Sequence, residues 1–175
     1  METNLDEAHL KSRFALVEEH VRRENAHDLD GILDTFGPDA RYDDEPWDDH
    51  RKGRDEVRLY YKELLAAAAD FRIEIQNRFA ASEAVILEVT ISGTHTGDWR
   101  GLPATGRKVS FPLCGIFTFD SADSILGEKI YYDRAGVFRQ LGIFREPSTP
   151  AGRLLTAMNH PLTIARAFGR KIFGR

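Results

Sequence analysis

Between residues 7 and 26, apolar side chains recur every three or four positions, at Leu10, Phe14, Val17 and Val21. That spacing puts them on one face and predicts a helix, with Asp6 as its cap. A shorter helix is predicted at 28–36, capped by Asp28 and burying Leu29, Ile32, Leu33 and Phe36, with Gly37-Pro38 ending it. Ala40 to Asp44 reads as a short strand entering an acidic loop. A third helix is predicted over 54–69. Asp55 and Glu56 suit its positive end, and Val57, Tyr60, Tyr61, Leu64 and Leu65 form its apolar side.

The period then changes from about 3.6 to 2. Phe71, Ile73 and Ile75 alternate with Arg72, Glu74 and Gln76, which predicts a strand with one wet face. A second strand, 84–96, carries Val85, Leu87, Val89, Ile91, Gly93 and His95 on one face by parity. The stretch GDWRGLPATGR (97–107) is a loop. A third strand, 108–120, places Val109, Phe111, Leu113, Phe117 and Phe119 together, a fourth runs 125–133, and a short terminal turn follows at 137–142. Helices followed by consecutive strands with short turns imply an α+β domain with a curved antiparallel sheet wrapped around the helices. The concave space between sheet and helices is the default ligand site.

The C-terminal residues behave differently. EPSTP (146–150) is a stiff, proline-rich connector. Residues 146–175 carry a net +4, against −8 for residues 1–145. The division expected is a domain over 1–145 and a basic amphipathic helical extension over 146–175. Leu154, Leu155 and Met158 belong to one short helix, and Pro161 opens a second containing Leu162, Ile164, Phe168 and Ile172. The opposite charges favour docking of this tail on its own domain or on a partner subunit. Association with acidic lipid is the alternative, because basic amphipathic helices also bind such surfaces.

Composition narrows the function classes. A net charge of −4 gives no footprint for nucleic-acid binding. The single cysteine, Cys114, excludes an intrachain disulfide framework and a cysteine-based zinc site. There is no signal-peptide pattern at the N-terminus and no apolar run of membrane-spanning length, so a cytoplasmic location follows by default. The most conspicuous polar feature is YDDEPWDDH (42–50), with five carboxylates in nine positions. It lacks the glycine and the alternation of a calcium-binding loop, and no metal site is expected there. Asp48, Asp49 and His50 read as a wet loop at the rim of the pocket.

Three stretches resemble the SnoaL-like polyketide cyclase family, within the nuclear transport factor two-like, or cystatin-like, cone superfamily. They are KGRDEVRLYYKEL (52–64), GTHTGDWRGLPATGRKVSFP (93–112) and EKIYYDRAGVFRQLG (128–142). The resemblance covers about residues 10–145. It implies a cone-shaped half-barrel with an apolar pocket, no cofactor, and a homodimer. It also implies proton-transfer chemistry, namely aldol cyclisation, isomerisation or dehydration of a small apolar, polyketide- or steroid-like molecule. Because the superfamily also holds non-catalytic domains, the alternative is a binding module for an apolar ligand or a protein partner.

The resemblance makes Asp133 the general acid/base and His95 its supporting pocket residue. By parity Asp133 shares a face with Lys129 and Tyr131, and burial on that face would raise its pKa towards neutrality. The plain alternative is an aspartate that caps the last turn or pairs with Arg134 or Arg139. Aligning ARYDDEP with the V-E-D-P-like context of ketosteroid isomerases puts Asp44 at the position of their base, with Tyr42 on the same face. Tyr42, Tyr60, Trp99, Phe117 and Tyr131 are the candidate substrate contacts. One departure is that many family members carry a tryptophan on the strand before the aspartate, where this chain has Tyr131 and Tyr132.

Overall fold

The computed structural model describes residues 7–173, so Asp6 lies outside the described residues. Helix α1 (Glu7–Asn25) and helix α2 (Leu29–Asp34) meet at a turn in which Asp28 accepts the Gly31 N–H at 3.0 Å. A hairpin of β1 (Phe36–Asp44) and β2 (Asp49–Lys52) follows, then α3 (Arg54–Ala67). Four strands come next, β3 (Arg72–Ala80), β4 (Ala84–Thr94), β5 (Lys108–Phe119) and β6 (Ile125–Tyr132), and then α4 (Arg134–Gln140). The tail forms α5 (Pro150–Asn159) and α6 (Pro161–Phe173). No helix among the described residues is long and apolar enough to cross a membrane.

The α+β architecture expected from the chain is present, as one six-stranded curved sheet in the order β2-β1-β6-β5-β4-β3. Its pairs are antiparallel except for β1 with β6, which run parallel. The three hairpin connections from β3 to β6 leave β6 pointing the same way as β1, so the sheet is mixed. Helices α1 and α3 cover the concave face, and Val17, Val21, Val57, Tyr60 and Tyr61 pack against Val85, Leu87, Val89 and Ile91 from β4.

Three local expectations change. Gly37-Pro38 does not end α2. Thr35 caps that helix, and Gly37-Pro38 lie in β1. Pro38 is tolerated there because the β1–β6 register is irregular between Phe36 and Arg41, and a bulged stretch does not need every N–H. The stretch expected as a wet loop forms the β1–β2 hairpin. A single 3-10 turn over Glu45–Trp47 and a left-handed Asp48 (φ 52°) reverse the chain, pairing Asp43 with His50 and Asp44 with Asp49. Docking of the tail on its own domain is also not what the structure has. Leu154, Met158, Leu162 and Phe168 all remain exposed. Charge attraction between tail and body does not supply the apolar groove that those side chains would need.

Candidate functional site: an apolar cone with a buried acid cluster

The concave face of the sheet and the helices over it form a cavity of about 130 Å³. Its walls follow from strand parity. Leu87, Val89 and Ile91 of β4 and Phe111, Leu113 and Phe117 of β5 all point inward. Alternation also brings Tyr42 of β1 and Ile130 and Tyr132 of β6 to the cavity, with Tyr60 and Leu64 from α3 closing one side. The polar groups on this surface are few, so each of them matters.

The first lies on the wall. His95, just beyond β4, is buried and lines the cavity. Its backbone is fixed by two bonds that extend the β4–β5 ladder, His95 N–H to Arg107 O and Gly106 N–H to His95 O, both 2.9 Å. The Thr105 N–H donates to Nδ1 at 3.3 Å, with Thr105 Oγ1 also 3.1 Å from Nδ1. A ring nitrogen that accepts cannot carry the proton, so the proton sits on Nε2. That Nε2 is buried and has no hydrogen-bond partner among the described residues. It is an N–H donor aimed into an apolar space.

The second group lies at the floor. Val17, His20, Val21 and Glu24 are the buried residues of α1, spaced three and four apart on one face. Glu128 of β6 meets His20 and Glu24 there, and Glu24 and Glu128 both line the cavity. His20 Nε2 is 3.2 Å from Glu128 Oε2 and 3.7 Å from Glu24 Oε2. The hydroxyl hydrogen of Thr35 goes to Ile32 O at 2.6 Å, so Thr35 Oγ1 must accept from His20 Nδ1 at 2.7 Å. The Tyr61 O–H donates to Glu128 Oε2 at 2.7 Å, so His20 Nε2, 3.0 Å from the same hydroxyl, must also donate. The hydrogen inventory makes His20 an imidazolium.

Electrostatics agrees with that inventory. Burial alone would push the His20 pKa down, but Glu24 and Glu128 beside it bring the net shift upward. Burial pushes the Glu24 carboxyl up to about 8, aided by the Glu128 charge and opposed by His20. The cluster therefore sets Glu24, whose carboxyl keeps its proton to about 8, beside Glu128, whose Oε2 accepts from Tyr61. Among the described residues, these three side chains are also the group whose ligand atoms converge, within 4.8 Å of one another. They could take a divalent ion in exchange for protons, with Thr35 orienting the ring as outer partners of metal-bound histidines do.

A third polar corner lies at the mouth. Asp44 is fully buried behind Tyr60, whose O–H donates to its Oδ2 at 3.0 Å. Arg100, from the glycine-rich loop, reaches Asp44 at 3.3 Å and also pairs with Asp49. Its guanidinium lies over Trp99 at 4.8 Å and over Trp47 at 5.4 Å. Burial raises the Asp44 pKa, while Tyr60 and Arg100 hold it back. Oδ1 of Asp44 is buried without a hydrogen-bond partner among the described residues. Trp47 Nε1–H donates to the Tyr132 hydroxyl at 2.8 Å and so ties the β1–β2 hairpin to the rim.

The residues expected from the sequence divide accordingly. His95, Tyr42, Tyr60, Trp99 and Phe117 line the cavity. Asp44 lies behind that lining, in contact through Tyr60. Tyr131 is on the outer face of β6, and Asp133 lies beyond the strand end; neither lines the cavity. Asp133 precedes α4 with its side chain 60% exposed and bonded to Arg139 at 2.9 Å, and the Gly136 amide and Arg139 hold its carboxyl below the usual range. The face of β6 that turns inward is the one carrying Glu128, Ile130 and Tyr132, not the one carrying Lys129, Tyr131 and Asp133, because apolar Ile130 is buried and Lys129 stays in water. Asp49 and His50 are also not free in water. Asp49 binds Arg51 and Arg100, and His50 bridges Asp43 and Asp48.

With this fold and cavity in view, the comparisons place the chain. The SnoaL-like polyketide cyclase model matches residues 15–141, and the chain belongs to that family. A search of the curated proteins finds no match. Among solved structures, the candidate hydroxylase AclR from Streptomyces galilaeus is 25% identical, with TM-score 0.67 over 78% of this chain and 88% of that one. A candidate SnoaL-like polyketide cyclase from Jannaschia sp. is 15% identical, with TM-score 0.69 over 75% and 92%. The epoxide hydrolase/cyclase-like enzyme SalBIII, which has a role in pyran ring formation in the polyether salinomycin, is 22% identical, with TM-score 0.62 over 72% and 94%. The last two show likeness of fold.

Proposed function

We propose that the protein is a proton-transfer enzyme acting on a small, mostly apolar, carbonyl-bearing ring or polyketide-like molecule held in the cone. The observation that carries this reading is the pairing of two buried carboxyl side chains, Glu24 and Glu128, at the floor of an otherwise apolar cavity. Glu128 removes a proton from carbon next to the carbonyl, and neutral Glu24 returns a proton to carbon or oxygen. The His95 N–H donates to the carbonyl oxygen and stabilises the negative charge that develops there. His20, Thr35 and Tyr61 hold the pair in place. Asp44 is a positioning residue, keeping Tyr60 and Arg100 at the mouth. Aldol ring closure, double-bond isomerisation and loss of water all proceed through such an enolate. Family membership supports the same class of chemistry. Asp133 has no part in this scheme.

The test needs no identified natural substrate. Cyclic ketones and diketones that bind the full-length protein are incubated in heavy water, and deuterium uptake beside the carbonyl is followed by NMR. The expected result is exchange by the wild type that falls by about 100-fold or more in Glu24→Gln and Glu128→Gln, with binding retained. Binding without exchange above background would instead favour a carrier of apolar ligands.

A further inference from the structure

The tail leaves two amphipathic helices uncovered. On α6, Leu162, Ala165, Phe168 and Ile172 follow one another at steps of three and four and form one face, with Arg166 and Lys171 at its borders and Arg170 on the opposite side. On α5, Leu154, Leu155 and Met158 lie together, away from Arg153. These apolar rows face solvent, with Met158 67%, Leu162 71% and Ile172 67% exposed. Isolated exposed leucines are ordinary, but two adjoining helices with continuous apolar rows are not.

The rows are presented from a fixed base. Thr149 caps α5 by accepting the Gly152 N–H at 3.0 Å, and Gly152 sits against the Glu146 carbonyl so closely that a Cβ there would be 1.8 Å from it. Glu146 in turn pairs with Arg139 of α4. The helices are therefore anchored to the body at their start and uncovered beyond it.

Charge indicates what covers them. From Pro147 onward the chain has no aspartate or glutamate, while α5 and α6 carry Arg153, Arg166, Arg170 and Lys171. On α6 the basic residues flank the apolar row, with Arg166 at one border and Lys171 at the other. That arrangement lets the row enter the acyl boundary while the cations remain at phosphate level. A second copy of this chain is a poorer fit. The exposed Leu59, Phe79 and Tyr131 of its body are single residues, and the pocket that Ile143 lines carries Arg100 and Arg134, cations that a basic tail does not complement.

We infer that α5 and α6 form a docking surface for anionic lipid bilayers. The helices lie in the interface and do not span it. This function is additional to the chemistry of the cone, and it would hold an enzyme or carrier of apolar molecules at the phase where such molecules collect.

The experiment is flotation of the full-length protein with vesicles of phosphatidylcholine alone and of phosphatidylcholine with phosphatidylglycerol, with the oligomeric state measured in parallel. Binding is expected to the anionic vesicles and to weaken with added salt. Arg166→Gln with Arg170→Gln should lower partitioning by roughly tenfold or more. Phe168→Glu should abolish it, with an unchanged melting temperature showing that the body is intact. Equal binding to both vesicle types, or no binding together with a dimer that Phe168→Glu dissociates, would overturn the proposal, the latter in favour of a second copy.

Discussion

The Tyr61 hydroxyl donates to Glu128 Oε2 at 2.7 Å, across the interface between α3 and β6. The same oxygen of Tyr61 is 3.0 Å from His20 Nε2. One phenol therefore links the helix that covers the cavity, the strand that forms its floor and the buried histidine. Removing it takes one donor from the buried Glu128 and leaves the His20 N–H with the Glu128 oxygen at 3.2 Å as its partner. Tyr61→Phe, which keeps the ring packing, should cost roughly 1–3 kcal/mol in urea unfolding. A loss of less than a few tenths would mean that the hydrogen-bond inventory of the floor is wrong.

The floor also predicts how stability varies with pH. Free Glu24 would ionise near its ordinary 4.5, but in the fold it keeps its proton to about 8. Between those values the folded protein binds more protons than the unfolded chain. The contribution is thus full below about pH 4.5 and lost as pH rises through 8. His20, also raised, acts in the same direction. Glu24→Gln keeps the shape but cannot titrate. Urea midpoints measured from pH 5 to 8 should fall more steeply in the wild type than in the variant. Parallel slopes would exclude a neutral Glu24.

What the sequence revealed of this arrangement depends on how burial imprints on it. The inward rows of β4 and β5 were legible because every second residue is apolar over many positions, and His95 fell on that row by parity. The row Val17, His20, Val21 and Glu24 obeys helical spacing just as well, yet a reading by hydrophobicity alone treats the two polar members as gaps. Strand β2 was not visible because DHRK has no apolar alternation and pairs with β1 alone. On β6, charges stand on both faces, Glu128 inward and Lys129 outward. Parity could then identify two sets of residues but not which set faced the cavity. The parallel pairing of β1 with β6 joins residues about eighty-five positions apart and leaves no local trace.

Asp133 offers the clearest contrast with the family resemblance. It is exposed, bonded to Arg139, and does not line the cavity. Asp133→Asn should leave proton exchange within about twofold of the wild type, the scale expected for a group outside the reacting centre. Its lowered pKa belongs to a stabilising contact present at neutral pH and lost in acid as the carboxylate is protonated, so any stability change should disappear at low pH. A loss of exchange comparable to that of Glu24→Gln would return Asp133 to the mechanism.

Gly97 controls where His95 sits. The Thr96 and Gly97 N–H groups both donate to Ala67 O at 3.0 Å, fastening the loop to the end of α3. A Cβ on Gly97 would lie 2.1 Å from the Ala66 carbonyl oxygen, and backbone on both sides leaves little room to yield. Gly97→Ala should destabilise by roughly 1–3 kcal/mol and reduce exchange by displacing the His95 N–H. Unchanged stability and exchange would show that the loop tolerates a shift which the geometry forbids.

Arg100 is the counterpart at the mouth. It gives the fully buried Asp44 its positive partner while stacking against Trp99. Arg100→Met retains much of the apolar stem and removes the charge, leaving Asp44 with only the Tyr60 hydroxyl. At neutral pH the variant should lose roughly 2–4 kcal/mol, since removing one partner strands the other charge in the interior. The sign with pH follows from the Asp44 pKa, which burial already raises and which Arg100 restrains. Without the guanidinium it rises further, and protonated Asp44 needs no counter-charge. The deficit relative to wild type should therefore shrink as pH falls towards about 4, into the carboxylate range. Unfolding curves at neutral and acid pH check this directly. A deficit independent of pH would mean that Arg100 acts through its stacking on the tryptophans and not through its charge.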